Sequence, residues 1–369
     1  MRVLHVVPAV FGPDGNIGGA ERYAVELVKA LRRSADVRLV SFGDRAATVD
    51  VDGLRVDVLP GRRVRGHPFN RVSARIVAPF RWADVVHCHQ QHIVSSSLLA
   101  MLGRLTGKPV VVTDHGGGGW DLSQYVSTDR LYAAHLHVSA FSRGQKGHAS
   151  WRRAEVIYGG VDVARFRPAP WTGPRRRVLF VGRVLPHKGV HDLIAALADG
   201  PALDVIGPLS DAGYAQRLQE LARGRDVVFH GAVDDRRLEQ AYRDALCVVL
   251  PSSCRSDYHA FTPVPELLGQ TLLEGMASGI PAICTDAGAM SEVVVDGRTG
   301  FVVPQNDPAA IHSALGRLAG DWRMAEAMGR HGRERVLERF SWDRVAEACL
   351  VRYRAVAARD GARWAIAPW

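Results

Sequence analysis

Short apolar runs alternate with segments of helical periodicity along most of the chain. Residues 2–9 (RVLHVVPA) predict a buried strand, and residues 21–33 predict a helix whose apolar face includes Tyr23, Leu27 and Leu31. Strands that are apolar on both faces and alternate with helices are typical of a mostly parallel sheet covered on both sides. Further strands are predicted at residues 37–41, 54–59, 85–89 and 109–114, with a helix at residues 94–105.

The alternation breaks at residues 168–177 (PAPWTGPRRR), where proline, glycine and arginine predict a linker. It then restarts and continues to about residue 303. We therefore predict an α/β protein of two Rossmann-like domains, at residues 1–168 and 169–344, with the C-terminal helix (about 345–369) packed back on the first. Two such domains imply a cleft, and open parallel sheets bind ligands at the carboxyl ends of their strands.

Composition narrows the class of protein. With 47% hydrophobic and 23% charged residues the chain can form ordinary cores, which excludes a disordered protein. No run of 18 apolar residues occurs and the N-terminus lacks a signal-peptide pattern, so neither a membrane span nor a leader is expected. The five cysteines are scattered without CxxC spacing, which predicts no disulfide framework and a cytoplasmic location.

Positive charge is concentrated in one segment. The formal net charge is +9, and only four of the 47 basic residues are lysines. No acidic residue occurs between Asp57 and Asp84. This segment predicts either a solvated loop and helix or a surface for an anionic acceptor, a membrane or nucleic acid. Its basic residues are Arg62, Arg63, Arg65, Arg71, Arg75 and Arg81.

Two segments have features of phosphate-binding loops. Gly18 and Gly19 end a glycine-rich stretch just before the first predicted helix, whose N-terminus offers N–H donors; a flexible turn is the alternative. The stretch matches neither GxGxxG nor a Walker motif. Arg183 and Lys188 follow a strand and could clamp a diphosphate, the arginine through its planar fork and the lysine as a point charge. The alternative there is a surface turn with unpaired charges.

Carboxylates and one histidine supply the other candidates. Glu266 and Glu274 suit the hydroxyl pairs of a sugar or ribose, because one carboxylate can accept two O–H donors. Thr271 and Glu274 also fit a capping box, which is the alternative for the second glutamate. His115 follows an apolar strand at the sheet edge that presents ligands, and a core or turn histidine is the alternative.

One histidine-rich segment contains residue types that commonly bind metal ions. Its members are His87, Cys88, His89 and His92. However, His87 and His89 have strand spacing and no carboxylate follows nearby, so we predict no metal site.

Six motifs occur in one order along the chain. They are GGAE at 18–21, DVVHCH at 84–89, TDHG at 113–116, GVD at 160–162, FVGRVLPHKG at 180–189, and the paired glutamates that continue into GMASGIP. Together they resemble the markers of retaining family 4 glycosyltransferases with the GT-B fold, over nearly the whole chain.

The resemblance implies two Rossmann-like domains facing each other across a cleft. The C-terminal domain would hold a nucleotide-sugar donor and the N-terminal domain a hydroxyl acceptor, without a metal or other cofactor. His115 would lie beside the donor sugar near the reacting carbon, and Glu274 at the ribose. The diphosphate would meet Arg183, Lys188 and backbone amides near Gly18, Gly19, Gln270 and Thr271, and the sugar hydroxyls would meet Glu266 and the backbone of Leu267, Leu268 and Gly269.

The chain also departs from the family pattern. Gly159-Gly160 stands where Asn-Gly is common, Glu266-Leu-Leu-Gly269 stands where Glu-Gly-Phe-Gly is common, and residues 254–265 form a longer segment. The donor sugar therefore stays open.

Two other function classes stay open as well. A sugar-nucleotide epimerase or phosphorylase would share the two domains and the diphosphate clamp. A nucleic-acid-binding or membrane-binding protein would explain the arginines. It would not explain why Glu266 and Glu274 occur together with Arg183 and Lys188, so no nucleic-acid partner is expected. An enzyme with a lipid-linked acceptor, contacting a membrane peripherally through Arg62 to Arg81, is also compatible with the sequence.

Overall fold

The computed structural model describes residues 1–8, 19–116, 120–198, 200–258 and 260–363. The chain divides into two compact units. Unit 1 comprises Met1–Gly160 together with the segment from Trp342 onward, and unit 2 comprises Val161–Ser341.

The division between Gly160 and Val161 leaves the predicted linker inside unit 2. Polar contacts hold the linker there, because Trp171 Nε1 donates to the carbonyl oxygen of Gly279 at 3.4 Å and Arg175 donates to that of Ala245 at 3.1 Å. The residues just before the linker are held in the same way. The Arg333 guanidinium donates to three backbone carbonyls, those of Val163, Phe166 and Ala277.

Unit 1 is built on an eight-stranded sheet. Its elements up to residue 160 are β1 (Arg2–Val6), α1 (Gly19–Leu31), β2 (Asp36–Gly43), β3 (Ala47–Val51), β4 (Leu54–Pro60), β5 (Arg62–Arg63), β6 (Arg71–Val72), α2 (Val77–Trp82), β7 (Val85–Cys88), α3 (Val94–Thr106), β8 (Val110–Thr113), β9 (Ala134–His137), α4 (Ala140–Gln145) and β10 (Ala154–Val156). The strand order is β10-β9-β8-β7-β1-β2-β4-β3, and only β3 pairs antiparallel in this sheet. The strands β5 and β6 form a separate two-stranded ribbon.

Unit 2 is built on six parallel strands in the order β13-β12-β11-β14-β15-β16, once its elements are numbered along the chain. They are β11 (Arg177–Val181), α5 (Val190–Leu197), β12 (Ala202–Ile206), α6 (Ala212–Leu221), β13 (Val227–Gly231), α7 (Asp235–Asp244), β14 (Cys247–Leu250), α8 (Gln270–Ala277), β15 (Ala282–Thr285), α9 (Met290–Val293), β16 (Gly300–Val303), α10 (Pro308–Gly320) and α11 (Trp322–Arg339). This is the Rossmann order 3-2-1-4-5-6, in which the direction of winding reverses between the first and fourth strands. The crevice at that reversal, between β11 and β14, is where such sheets bind ligands.

The last helix, α12 (Trp342–Arg363), belongs to unit 1 and packs on α1. Its first residue, Trp342, lies so close to Gly160 that a Cβ there would be 2.6 Å from the indole ring. Farther along α12, the buried Tyr353 hydroxyl lies 2.7 Å from His87 Nδ1 on β7. Within the described ranges, none of the helices is both long and apolar enough to cross a bilayer.

Candidate functional site

The connection from β11 to α5 is pressed against the segment that follows β14. Its turn Pro186–Lys188 ends at Gly189, whose φ is +70°. A Cβ on Gly189 would lie 2.0 Å from the carbonyl oxygen of Pro251, so only glycine fits. The sheet therefore brings Lys188 next to the residues after β14, at the reversal point of unit 2.

Lys188 forms an ion pair with Glu266 at this point. Its Nζ contacts Glu266 Oε1, and the two side chains are only 15% and 12% exposed. Ser252, just after β14, donates to the same carboxylate oxygen at 3.1 Å, and the Thr285 hydroxyl at the end of β15 donates to the Ser252 carbonyl. Residues at or after the carboxyl ends of three neighbouring strands thus hold one carboxylate beside one ammonium group.

The backbone around Glu266 is held by a glycine that the sequence analysis did not single out. Gly288 has a φ of +62°, and a Cβ there would lie 2.2 Å from the carbonyl oxygen of Glu266. The same carbonyl accepts a hydrogen bond from Ala289 N at 3.2 Å. The position of Glu266 therefore depends on a close backbone approach that any larger residue would block.

Helix α8 begins beside Glu266, and its start contradicts the capping-box alternative. The N-cap is Gly269, with a φ of +93° and no side-chain cap, so Thr271 already lies inside the helix. The first N–H groups of a helix lack intrahelical partners and attract anions. Among the described residues, the buried Thr271 Oγ1 has no hydrogen-bond partner.

Glu274 is held by a different set of contacts. The fully buried Tyr242 on α7 donates its hydroxyl hydrogen bond to Glu274 Oε2 at 2.8 Å. Burial is the main cause that raises the pKa of Tyr242, and the neighbouring Glu274 carboxylate raises it further. Arg165 is near enough for Glu274 to favour its charged form. Glu274, near the middle of α8, therefore has one carboxylate oxygen held by Tyr242.

The other predicted residues of unit 2 differ in their surroundings. Leu268 is buried and Leu267 half-buried, between Glu266 and the start of α8. Arg183 follows β11 but is exposed, and in the described part of the chain it forms no hydrogen bond or ion pair. The structure thus brings Lys188 and Glu266 into contact and leaves Arg183, on the same connection, without a partner among the described residues.

In unit 1, the predicted His115 lies at the carboxyl edge of the sheet. Gly19 is the first residue of α1, and Gly18 lies outside the described residues. His115 follows β8, with its ring centroid 4.5 Å from that of Tyr23 and 5.8 Å from that of His89. Burial lowers the pKa of His115 to about 4, although Asp114 opposes this. His115 is therefore a neutral imidazole at physiological pH.

His87 and His89 of the histidine-rich segment form a core cluster with His5, which was not among the predicted candidates. His5, on β1, brings its Nδ1 to 2.9 Å from His89 Nε2, and both rings are fully buried. His87 bonds Tyr353 through Nδ1 and the Thr113 hydroxyl through Nε2 at 2.8 Å.

These three histidines have ligand atoms within 4.8 Å of one another, which is a spacing a metal ion could use. A cation between His5 Nδ1 and His89 Nε2 would, however, force a proton onto the opposite nitrogen of each ring. Those two nitrogens are buried and have no acceptor within the described ranges, so each N–H would be left unsatisfied. Hydrogen bonding among neutral rings fits the cluster better.

The arginine-rich segment is not uniformly a surface patch. Arg71 is 2% exposed and donates to Asp44 at 2.8 Å and to the carbonyls of Pro68 and Gly61, so it belongs to the interior. Arg63 pairs with the same Asp44. Hydrogen bonds from these two arginines, that from Arg71 first, lower the pKa of Asp44 to about 2.

A second polar group, at the carboxyl edge of the unit 1 sheet, was not predicted. Lys146 follows α4, and its Nζ lies 2.6 Å from the buried carboxylate of Asp114 and 3.0 Å from His92 Nε2. The scarcity of lysine in the chain and its place after β9 are the signals that could have indicated it.

Two family models match the chain, one to each half. The model for glycosyltransferase family 4 matches residues 17–165, and the model for glycosyl transferases group 1 matches residues 165–335. Together they span residues 17–335, which include all the unit 2 residues described above.

Several known proteins are similar to this chain over most of its length. The α-maltose-1-phosphate synthase of Mycolicibacterium smegmatis is 30% identical, over 94% of this chain and 97% of its own. A GDP-mannose-dependent α-(1-6)-phosphatidylinositol monomannoside mannosyltransferase of Mycobacterium tuberculosis is 29% identical, over 85% and 82%. The crystal structure of Anabaena HepE with UDP and glucose matches with a TM-score of 0.74 at 19% identity, covering 96% of this chain and all of HepE, which supports the same fold.

Proposed function

Since the chain belongs to the family 4 glycosyltransferases, which have the GT-B fold, and is thus a sugar-transferring enzyme, we propose the finer features of its reaction. It transfers a hexose-type sugar from a nucleoside diphosphate donor to a hydroxyl acceptor with retention of configuration. The reaction takes place in the cytoplasm and requires no metal. The donor binds mainly to unit 2 and the acceptor mainly to unit 1.

The contact between Lys188 and Glu266 is the observation that carries this proposal. A largely buried cation and a largely buried carboxylate at the reversal point of a Rossmann sheet suit a ligand with both phosphates and hydroxyls. Lys188 binds the diphosphate, joined by Arg183 and by the backbone amides at Gln270 and Thr271. Glu266 and the backbone at residues 267–269 bind the sugar hydroxyls.

Glu274 binds the ribose. Its carboxylate is fixed by the Tyr242 hydroxyl, so one oxygen is already oriented before the donor arrives. This supports a role in recognition and not in capping, because α8 begins at Gln270 without a side-chain cap.

The reaction breaks the bond between the anomeric carbon and the diphosphate oxygen and forms a bond from that carbon to the acceptor oxygen on the same face. The acceptor proton passes to the departing diphosphate oxygen. Lys188, Arg183 and the α8 amides stabilise the charge that develops on the leaving group, a preorganised electrostatic effect. His115, neutral because burial lowers its pKa, lies beside the donor sugar and can donate or accept a hydrogen bond without adding charge.

The acceptor is an anionic or lipid-linked hydroxyl compound. The relative from M. tuberculosis is named for a phosphatidylinositol mannoside, and exposed arginines of the segment from Arg62 to Arg81 would suit peripheral contact with an anionic membrane. Arg71 is not among them, since it is buried against Asp44.

A thermal-shift panel of UDP-, GDP- and ADP-sugars tests the donor, because a ligand bound only by the native state raises the Tm. We expect one nucleotide class to raise the Tm and to release its diphosphate in the presence of an acceptor. The double variant Arg183→Ala/Lys188→Ala should lower turnover by orders of magnitude with the fold intact, whereas Lys29→Ala, on α1, should not. Near-normal turnover in the double variant would refute the assignment.

A further inference from the structure

Unit 1 contains a groove that the proposed donor site does not use. Its volume is about 770 Å³, and its lining is mainly apolar. The buried side chains of Phe42 and Leu99 line it together with the more exposed Val77 and Leu98, which are 44% and 48% exposed. An open apolar cavity of this size, lined by exposed aliphatic side chains, is typical of a ligand-binding groove.

The groove opens at the edge of the sheet where ligands bind. Phe42 lies near the carboxyl end of β2 and Pro60 ends β4, and both line the groove. His115 follows β8 of the same sheet, and the carboxyl ends of its parallel strands share one edge. The groove is therefore on the edge of unit 1 that would bind an acceptor.

Apolar surface continues from the groove along α3. Leu98, Met101 and Leu105 recur at helical spacing, and they are 48%, 40% and 83% exposed. Within the described part of the chain, nothing covers this stripe. An exposed stripe adjoining an apolar groove fits an environment that is itself apolar.

The rim of the groove is cationic. Arg62 and Arg75 line it, are exposed, and form no ion pair with any described residue. Asp44 is the carboxylate at the rim, but its charge is already balanced by Arg63 and Arg71. An amphiphile with a negative head and a hydrocarbon tail matches this arrangement of charge and apolar surface.

We propose that this groove binds the hydrocarbon chain of an anionic membrane lipid, with Arg62 and Arg75 contacting the head-group phosphate. This inference rests on the proposed function, because it names the class of surface on which the acceptor is presented. It places the rim of the groove and the α3 stripe against the bilayer.

Co-sedimentation with vesicles tests this proposal, using phosphatidylcholine vesicles with and without phosphatidylglycerol. We expect the native protein to bind only the anionic vesicles. Arg62→Gln/Arg75→Gln should weaken partitioning by about fivefold per arginine, hence about 25-fold. Leu98→Asp should weaken it by about tenfold or more, since a charge replaces an apolar contact with lipid. The matched control Leu337→Asp, at a 44% exposed leucine of unit 2, should change nothing.

Donor binding is measured as the Tm shift caused by a nucleotide sugar. It distinguishes a failure of the membrane proposal from a failure of the proposed function. If the arginine pair matters but Leu98→Asp does not, the contact is electrostatic alone and the groove assignment is wrong. If anionic vesicles are not bound although the nucleotide raises the Tm, the membrane proposal fails and the proposed function stands. If no nucleotide sugar raises the Tm, the proposed function itself fails. Should Leu98→Asp not fold, Val77→Asp on α2 makes the same test.

Discussion

Replacing Lys188 with methionine separates the stability of the Lys188–Glu266 pair from its role in transfer. The two side chains are 15% and 12% exposed and in contact, so Lys188→Met leaves a carboxylate without its partner. Removing one member of a buried pair costs 3–5 kcal/mol, and the residual exposure here favours about 3 kcal/mol. In a unit of about 180 residues, each kcal/mol lowers the Tm by about 2–4 °C, which predicts a decrease of about 6–12 °C.

The double variant Lys188→Met/Glu266→Gln should regain most of that loss, because the uncompensated charge is gone and Ser252 can still donate to the amide oxygen. Activity should not return. Loss of one preorganised group that stabilises the leaving charge lowers kcat by about 10²–10³-fold. Calorimetric melting and acceptor-dependent release of nucleoside diphosphate measure the two quantities. Lys29→Met is the matched control, since its pair with Glu26 is more exposed and contributes little.

Two results would refute this reasoning. A Tm for Lys188→Met within 2 °C of native would show that the pair does not stabilise unit 2. Recovery of activity in the double variant would show that the positive charge at position 188 has no part in transfer.

Three other variants or conditions test neighbouring parts of the account. Tyr242→Phe removes the hydrogen bond to Glu274, worth about 1.5–3 kcal/mol, and should reduce discrimination between ribose and 2′-deoxyribose nucleotides in calorimetric titration; unchanged discrimination would contradict the ribose role. Gly288→Ala should weaken donor binding at least tenfold, whereas Gly297→Ala, also at positive φ but with open space around it, should lower only the Tm; equal donor affinity in both would be contrary evidence. Burial lowers the pKa of His5 to about 3, so its contribution to stability is complete above about pH 6.5 and falls as the pH drops towards 3, by roughly 2 kcal/mol at pH 5. The Tm should fall between pH 7 and pH 5, less so in His5→Gln, and a constant Tm would contradict this.

The alternation of short apolar runs with helical segments was sufficient to predict two parallel sheets, since most of their strands are continuous apolar runs. It missed β9 (Ala134–His137), where two of the four residues are histidines. His135 and His137 are buried there among other rings, and stacking of this kind depends on residues distant in sequence. The domain boundary was predicted too late, because the linker composition does not reveal the contacts of Trp171 and Arg175 with unit 2.

At the candidate site, the local motifs predicted which charged residues take part, but not which side chains orient them. Ser252 and Tyr242, which orient the two glutamates, lie 14 and 32 residues from their partners in sequence. The capping-box alternative failed because Gly269 is the N-cap of α8, two residues before Thr271. Arg71 was wrongly predicted to belong to a surface patch, because the sequence does not show the backbone carbonyls that bind its guanidinium.

The most direct test of the donor site compares nucleoside diphosphates with the matching monophosphates by titration calorimetry, in the native protein and in Lys188→Met. We predict that the native protein binds its preferred diphosphate at least tenfold more tightly than the monophosphate, and that the variant loses most of this difference. Equal affinity for the two nucleotides in the native protein would contradict the central claim that unit 2 binds the diphosphate of the donor.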